Sequence, residues 1–96
     1  MDLPGFRVSL EQERPPQGLS APLRALWHEA RGEWAKAHEI VQEGSGKAAA
    51  RVHAYLHRKE GDSANADYWY KRAGAERPRG PLAKEWESLV RSFLDG

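Results

Sequence analysis

Apolar residues recur every three or four positions through most of the chain after residue 20, a spacing typical of amphipathic helices. Five such stripes are separated by glycine and proline at Gly32, at 44–46, at Gly61 and at 78–81. The stripes consist of Leu23, Leu26, Trp27 and Ala30; Trp34, Ala37, His38 and Val41; Val52 and Leu56; Ala66, Trp69, Tyr70 and Ala73; and Leu82, Trp86, Leu89, Val90, Phe93 and Leu94. Fourteen alanines, against four valines and one isoleucine, also favour helix. The sequence predicts an all-α fold of five helices with short connections.

The first twenty residues have a less regular pattern. Phe6, Val8 and Leu10 alternate with polar residues, which suits a short strand, but Phe6 and Leu10 are also four apart, which suits one helical turn. Both alternatives remain open, and Pro15 and Pro16 end whichever element forms. We expect residues 1–20 to be an N-terminal arm that packs on the domain 21–96 through Phe6, Leu10 and Leu19.

The chain contains an internal repeat. An offset of 29 positions aligns residues 25–44 with residues 54–73 and matches His28 with His57 and Gly32 with Gly61. Each unit is predicted to be a helix, a tight glycine turn and an antiparallel helix, because glycine readily adopts the backbone conformation that ends a helix. Periods of this length indicate stacked helical repeats.

Residues 47–78 resemble a tetratricopeptide repeat or its Sel1-like relative. The spacing that carries the resemblance is Gly61 at the inter-helix turn followed by Ala66, Tyr70, Ala73 and Pro78. Residues 21–44 are similar to a degenerate copy, and 81–94 resembles the capping helix that ends such arrays. Residues 26–30 and 53–58 are also similar to a family of short uncharacterised bacterial proteins, a likeness that implies no activity.

The resemblance implies a concave groove, formed by the first helix of each pair, that binds a peptide or a partner protein. The matching positions here are Leu26, Glu29, Arg51, Tyr55, Arg58 and Lys59. Arg51, Tyr55 and Arg58 follow at i, i+4 and i+7, so they form one stripe, and its arginines suit an acidic partner. Two repeats leave apolar ends uncovered, so self-association is a second expectation. These features predict a non-catalytic adaptor.

Composition excludes several other classes of protein. Fifteen Lys and Arg residues against fourteen Asp and Glu leave a net charge of +1, too balanced for general nucleic-acid binding. The chain has no cysteine, so disulfide scaffolds, thiol catalysis and cysteine-ligated zinc are excluded. No apolar run approaches the roughly 20 residues of a membrane span, and no signal peptide is apparent. We therefore expect a cytoplasmic protein that needs no cofactor.

Four histidines provide the alternative function, a small-ligand or metal site. His53 and His57 are four apart on one helix, the spacing of helical metal ligands, and His28 occupies the matching position of the first repeat. The HExxH pattern is absent, and no serine lies in a nucleophile motif, so catalysis is not the favoured expectation. The competing explanation is that His28, His53 and His57 are ordinary hydrogen-bonded residues of the helix interfaces.

Overall fold

A computed structural model describes residues 1–95 of the chain. Within these residues the elements are α1 (Leu3–Ser9), α2 (Ala21–Ala30), α3 (Trp34–Glu43), α4 (Gly46–Glu60), α5 (Ser63–Ala73) and α6 (Leu82–Asp95). No strand occurs between residues 1 and 95, so the all-α prediction is confirmed. The helices of this part of the chain are all too short or too polar to cross a membrane.

Helix α1 is a sixth helix, in addition to the five that the sequence predicted. The carboxylate of Asp2 caps it by accepting a hydrogen bond from the Gly5 N–H at 2.9 Å, and Pro4 is tolerated in the first turn. Phe6 is completely buried, with its ring 5.8 Å from that of Trp86 on α6. Of the two alternatives left open by the sequence, the helical turn is the one that forms.

The remaining helices form two antiparallel pairs followed by a single helix. Helix α2 packs mainly on α3, and α4 mainly on α5. Gly32 and Gly61 lie at the turns within the pairs with φ of 83° and 91°, a left-handed conformation that favours glycine. The pairs span residues 21–43 and 46–73, and residues 74–81 form the irregular connection to α6.

One main core joins α2, α4 and α6. Leu26 and Trp27 on α2, Leu56 on α4 and Val90 on α6 are completely buried in it. The Trp86 indole N–H donates to the Leu26 carbonyl oxygen at 3.2 Å, which fixes α6 against α2. Helix α6 therefore lies across the two helices that the sequence analysis expected to line an open groove.

Candidate functional site

Three histidines meet at the interface between α3 and α4. His38 comes from α3, and His53 and His57 come from α4. One ring nitrogen from each lies within 4.8 Å of the other two, and the Nε2 atoms of His38 and His53 are 3.0 Å apart. We call these three residues the histidine cluster.

Helix geometry explains why these rings converge. The four-residue spacing on α4 stacks the rings of His53 and His57 with centroids 4.9 Å apart. On α3 the same spacing places Trp34 over His38, with centroids 4.9 Å apart and the planes inclined by only 10°. The Trp34 indole N–H donates to the Leu56 carbonyl oxygen at 2.8 Å, so α3 is anchored to α4 beside the cluster.

The cluster is shielded from water by aromatic rings. Trp69 on α5 stacks on His53 with centroids 3.9 Å apart, while Trp34 covers His38. Burial, together with the neighbouring His38 and His57, lowers the pKa of His53 to about 4. Burial and the proximity of His57 also lower the pKa of His38. His53 is therefore neutral at neutral pH, the form of histidine that binds metals.

Glu60 sets the orientation of His57. Its Oε2 atom lies 2.6 Å from His57 Nδ1, one turn further along α4. A carboxylate at Nδ1 holds the proton on that nitrogen and leaves a lone pair on Nε2. Metal-binding histidines commonly have such a partner, because it fixes the tautomer and raises the basicity of the ligand.

His28, which the sequence analysis grouped with His53 and His57, lies outside the cluster. Its Nδ1 is 3.0 Å from Glu33 Oε1, and its ring meets Trp27 edge-on. His28 and His57 occupy equivalent positions of successive helix pairs, so they are displaced along the stack instead of facing each other. His38 takes the expected place of His28 because α3 packs directly on α4.

The predicted partner-binding residues of α2 and the adjacent part of α4 are largely enclosed. Leu26 is completely buried, and Tyr55 is only 3% exposed. The Tyr55 hydroxyl donates to Glu29 Oε2 at 3.4 Å, and burial, followed by the charge of Glu29, raises the pKa of Tyr55. Glu29 is itself buried and pairs with Lys59. Of these positions, Leu26, Glu29 and Tyr55 are buried, whereas Lys59 is exposed.

The two arginines of the predicted stripe are held by α6. Glu85 Oε2 accepts from Arg51 at 2.6 Å, and Glu85 Oε1 accepts from Arg58 at 2.7 Å. The hydrogen bond with Glu85 raises the pKa of Arg58. The Tyr70 hydroxyl on α5 also donates to Glu85, at 2.6 Å, so three side chains converge on one carboxylate. We call these four residues the Glu85 network; it occupies the face on which the sequence analysis placed the centre of the partner surface.

A groove lies in the surface beside the Glu85 network. It has a volume of about 330 Å³ and lies where α1, α2, α4 and α6 meet. Its lining residues are Arg7, Leu10, Glu29, Ala30, Tyr55, Lys59, Leu82, Ala83 and Trp86. Three of the six predicted partner-binding residues, Glu29, Tyr55 and Lys59, therefore line a real depression in the surface.

No family model, curated protein or solved structure is significantly similar to this chain. The resemblance to tetratricopeptide repeats therefore stays a prediction from the spacing of residues in the sequence. The geometry of the histidine cluster and of the groove is what indicates a function.

Proposed function

We propose that the protein binds a divalent transition-metal ion at His38, His53 and His57. The observation that carries this proposal is the convergence of three imidazoles, with one ring nitrogen from each within 4.8 Å of the others. Imidazole suits zinc, copper, nickel and iron, whereas calcium and magnesium take oxygen ligands. The carboxylate of Glu60 on His57 Nδ1 supplies the outer contact that such ligands use.

The spacing of the nitrogen atoms fits such an ion. A tetrahedral zinc ion with Zn–N bonds of about 2.0–2.1 Å separates its nitrogen ligands by about 3.3 Å. The Nε2 atoms of His38 and His53 are 3.0 Å apart, and the ligand nitrogens of the three histidines all lie within 4.8 Å of one another. In the metal-bound protein the three rings would turn until all three nitrogens reach bonding distance, and the metal would replace the N–H···N hydrogen bond between His38 and His53.

Zinc titration of the chain without a polyhistidine tag tests this proposal. We expect one zinc ion per chain by calorimetry, and no heat with magnesium. Because zinc binds the folded cluster in preference to the unfolded chain, free zinc at 100 times its dissociation constant should stabilise the fold by about 2.7 kcal/mol. Absence of stoichiometric zinc binding would contradict the proposal.

We propose partner binding as a second candidate function, supported by the groove between α1, α2, α4 and α6. In this proposal the protein is a cytoplasmic adaptor whose groove takes an acidic peptide segment of a partner. Lys59 and Arg7 lie at the groove, together with apolar surface from Leu10, Leu82 and Trp86. Lys59 pairs with Glu29 and Arg7 with Glu87, so an acidic ligand would compete with these two carboxylates. Cationic groups beside apolar surface favour a ligand with acidic and apolar side chains.

Substitution of Ala83, an exposed groove residue, tests the second candidate without disturbing the buried network. We expect a peptide alternating Asp and Leu to shift amide resonances of groove residues, and Ala83→Glu to abolish the shifts by charge repulsion. Ser88→Glu is the matched control, since Ser88 is exposed on the same helix outside the groove. Equal effects of the two variants would argue against the groove.

A further inference from the structure

Some ring nitrogens of the histidine cluster are available to a metal, and one is already hydrogen-bonded to a carboxylate. His38 and His53 approach each other through Nε2, at 3.0 Å. His57 Nδ1 is bound to Glu60 at 2.6 Å. Because the two nitrogens of an imidazole lie on different edges of the ring, His57 Nε2 is the atom left for a metal. The cluster therefore offers three nitrogen donors.

Among residues 1–95, no carboxylate joins His38, His53 and His57 at ligand spacing. Glu60 and Asp62 gather with His57 in a separate group, and Glu60 meets the ring at Nδ1. Moving Glu60 to the metal would break the hydrogen bond that holds the His57 ring. The described part of the chain thus supplies three ligands and one outer carboxylate.

The number of protein ligands distinguishes two classes of zinc site. Structural sites are closed by four protein ligands, whereas sites with three keep a position for water or another small ligand. His53 and His57 are buried, but His38 is only half-buried. Solvent therefore reaches the cluster most readily at His38, and a fourth ligand would approach from that side.

From this geometry, and on the basis of the proposed metal site, we infer that the bound ion carries an exchangeable water that a small monodentate anion replaces. Three neutral imidazoles leave both positive charges of a divalent ion uncompensated, so an anion is the favoured fourth ligand. Trp34 and Trp69 stack on two of the three ligand rings and screen the site from bulk water, which strengthens the attraction of the ion for an anion. The proposed metal site therefore exchanges its fourth ligand, unlike a structural site that four protein ligands close.

Cobalt substitution separates this inference from the proposed function. Cobalt(II) takes the same ligands as zinc, and its visible d–d bands report coordination number and ligand exchange. We expect the cobalt-loaded chain to show the bands of a four-coordinate ion and to respond to azide saturably, with one azide per cobalt. Absence of cobalt bands would overturn both the metal site and the inference. Bands that do not change with azide would overturn the inference alone.

Glu60→Gln provides the matched variant. As the outer partner of His57, Glu60 should strengthen cobalt binding by about 10- to 100-fold, so the variant needs more cobalt for saturation. Once saturated, it should respond to azide as the wild type does. If Glu60 were the fourth ligand, the wild type would be unresponsive and Glu60→Gln would become responsive, a result that contradicts the open position.

Discussion

Replacing Glu85 by alanine is expected to destabilise the protein by about 3–5 kcal/mol, the usual cost of breaking a buried ion pair. The side chain of Glu85 is only 1% exposed, and those of Arg51 and Arg58 are 20% and 19% exposed. One carboxylate therefore compensates two largely buried guanidinium groups and accepts the hydroxyl of Tyr70. Alanine would remove the acceptor that all three side chains share, although Arg58 would keep its hydrogen bond to the Gly80 carbonyl oxygen.

Urea denaturation followed by circular dichroism measures this effect. Glu87→Ala is the control on the same helix, because Glu87 pairs with Arg7 and Arg91 at the surface, at 3.1 and 3.2 Å. Exposed pairs of this kind are worth under about 1 kcal/mol. Glu85→Gln keeps the size and the carbonyl acceptor, so it should lose less than Glu85→Ala and remain measurable if the alanine variant does not fold. Similar losses for Glu85→Ala and Glu87→Ala would contradict the network.

The Glu85 network shows why the sequence did not predict that Arg51 and Arg58 are paired within the protein. The periodicity of Arg51, Tyr55 and Arg58 correctly placed them along one side of α4. Charged residues are rarely buried unless they are paired, so such a stripe is expected to face water. The pairing residue is 27 and 34 positions away on α6, and no local pattern connects it with the stripe. Glu85 is one of three acidic residues of α6, and the sequence of this amphipathic helix does not distinguish it from Glu87 and Asp95.

Helices were more predictable than the contacts between them. Helices α2 to α6 follow from apolar stripes that end at glycine or proline, both of which are local properties of the chain. Helix α1 was left undecided because Phe6, Val8 and Leu10 fit both periods. The structure resolves this in favour of a helix in which Phe6 is buried and Val8 is 68% exposed. The Asp2 cap is the local signal that favours the helix.

The sequence predicted two of the three residues of the histidine cluster, because only the pair on α4 depends on local spacing alone. His53 and His57 share one helix, so their spacing alone brought them together. The third histidine depends on which helix packs against α4. His38 lies on the apolar stripe of α3 with Trp34, a position that indicates a residue facing a neighbouring helix. Repeat equivalence instead selected His28, although equivalent positions of stacked units do not meet.

Replacing His38 by alanine is expected to weaken zinc binding strongly, whereas replacing His28 should not. Loss of an outer partner of a metal ligand usually costs about 10- to 100-fold in affinity, so loss of the ligand itself should cost about 100-fold or more. His28 is bound to Glu33 and is absent from the cluster. His28→Ala should therefore change the zinc dissociation constant by no more than about twofold, as for an independent site.

Calorimetric zinc titrations of the two variants, with circular dichroism to confirm equal helicity, measure this difference. His53→Ala serves as a second test from α4 and should match His38→Ala. Since α3 supplies one ligand and α4 supplies two, equal losses in both variants mean that the ion joins the two helices. If His28→Ala weakened binding as much as His38→Ala, the ion would bind elsewhere, and the assignment of the cluster would be wrong.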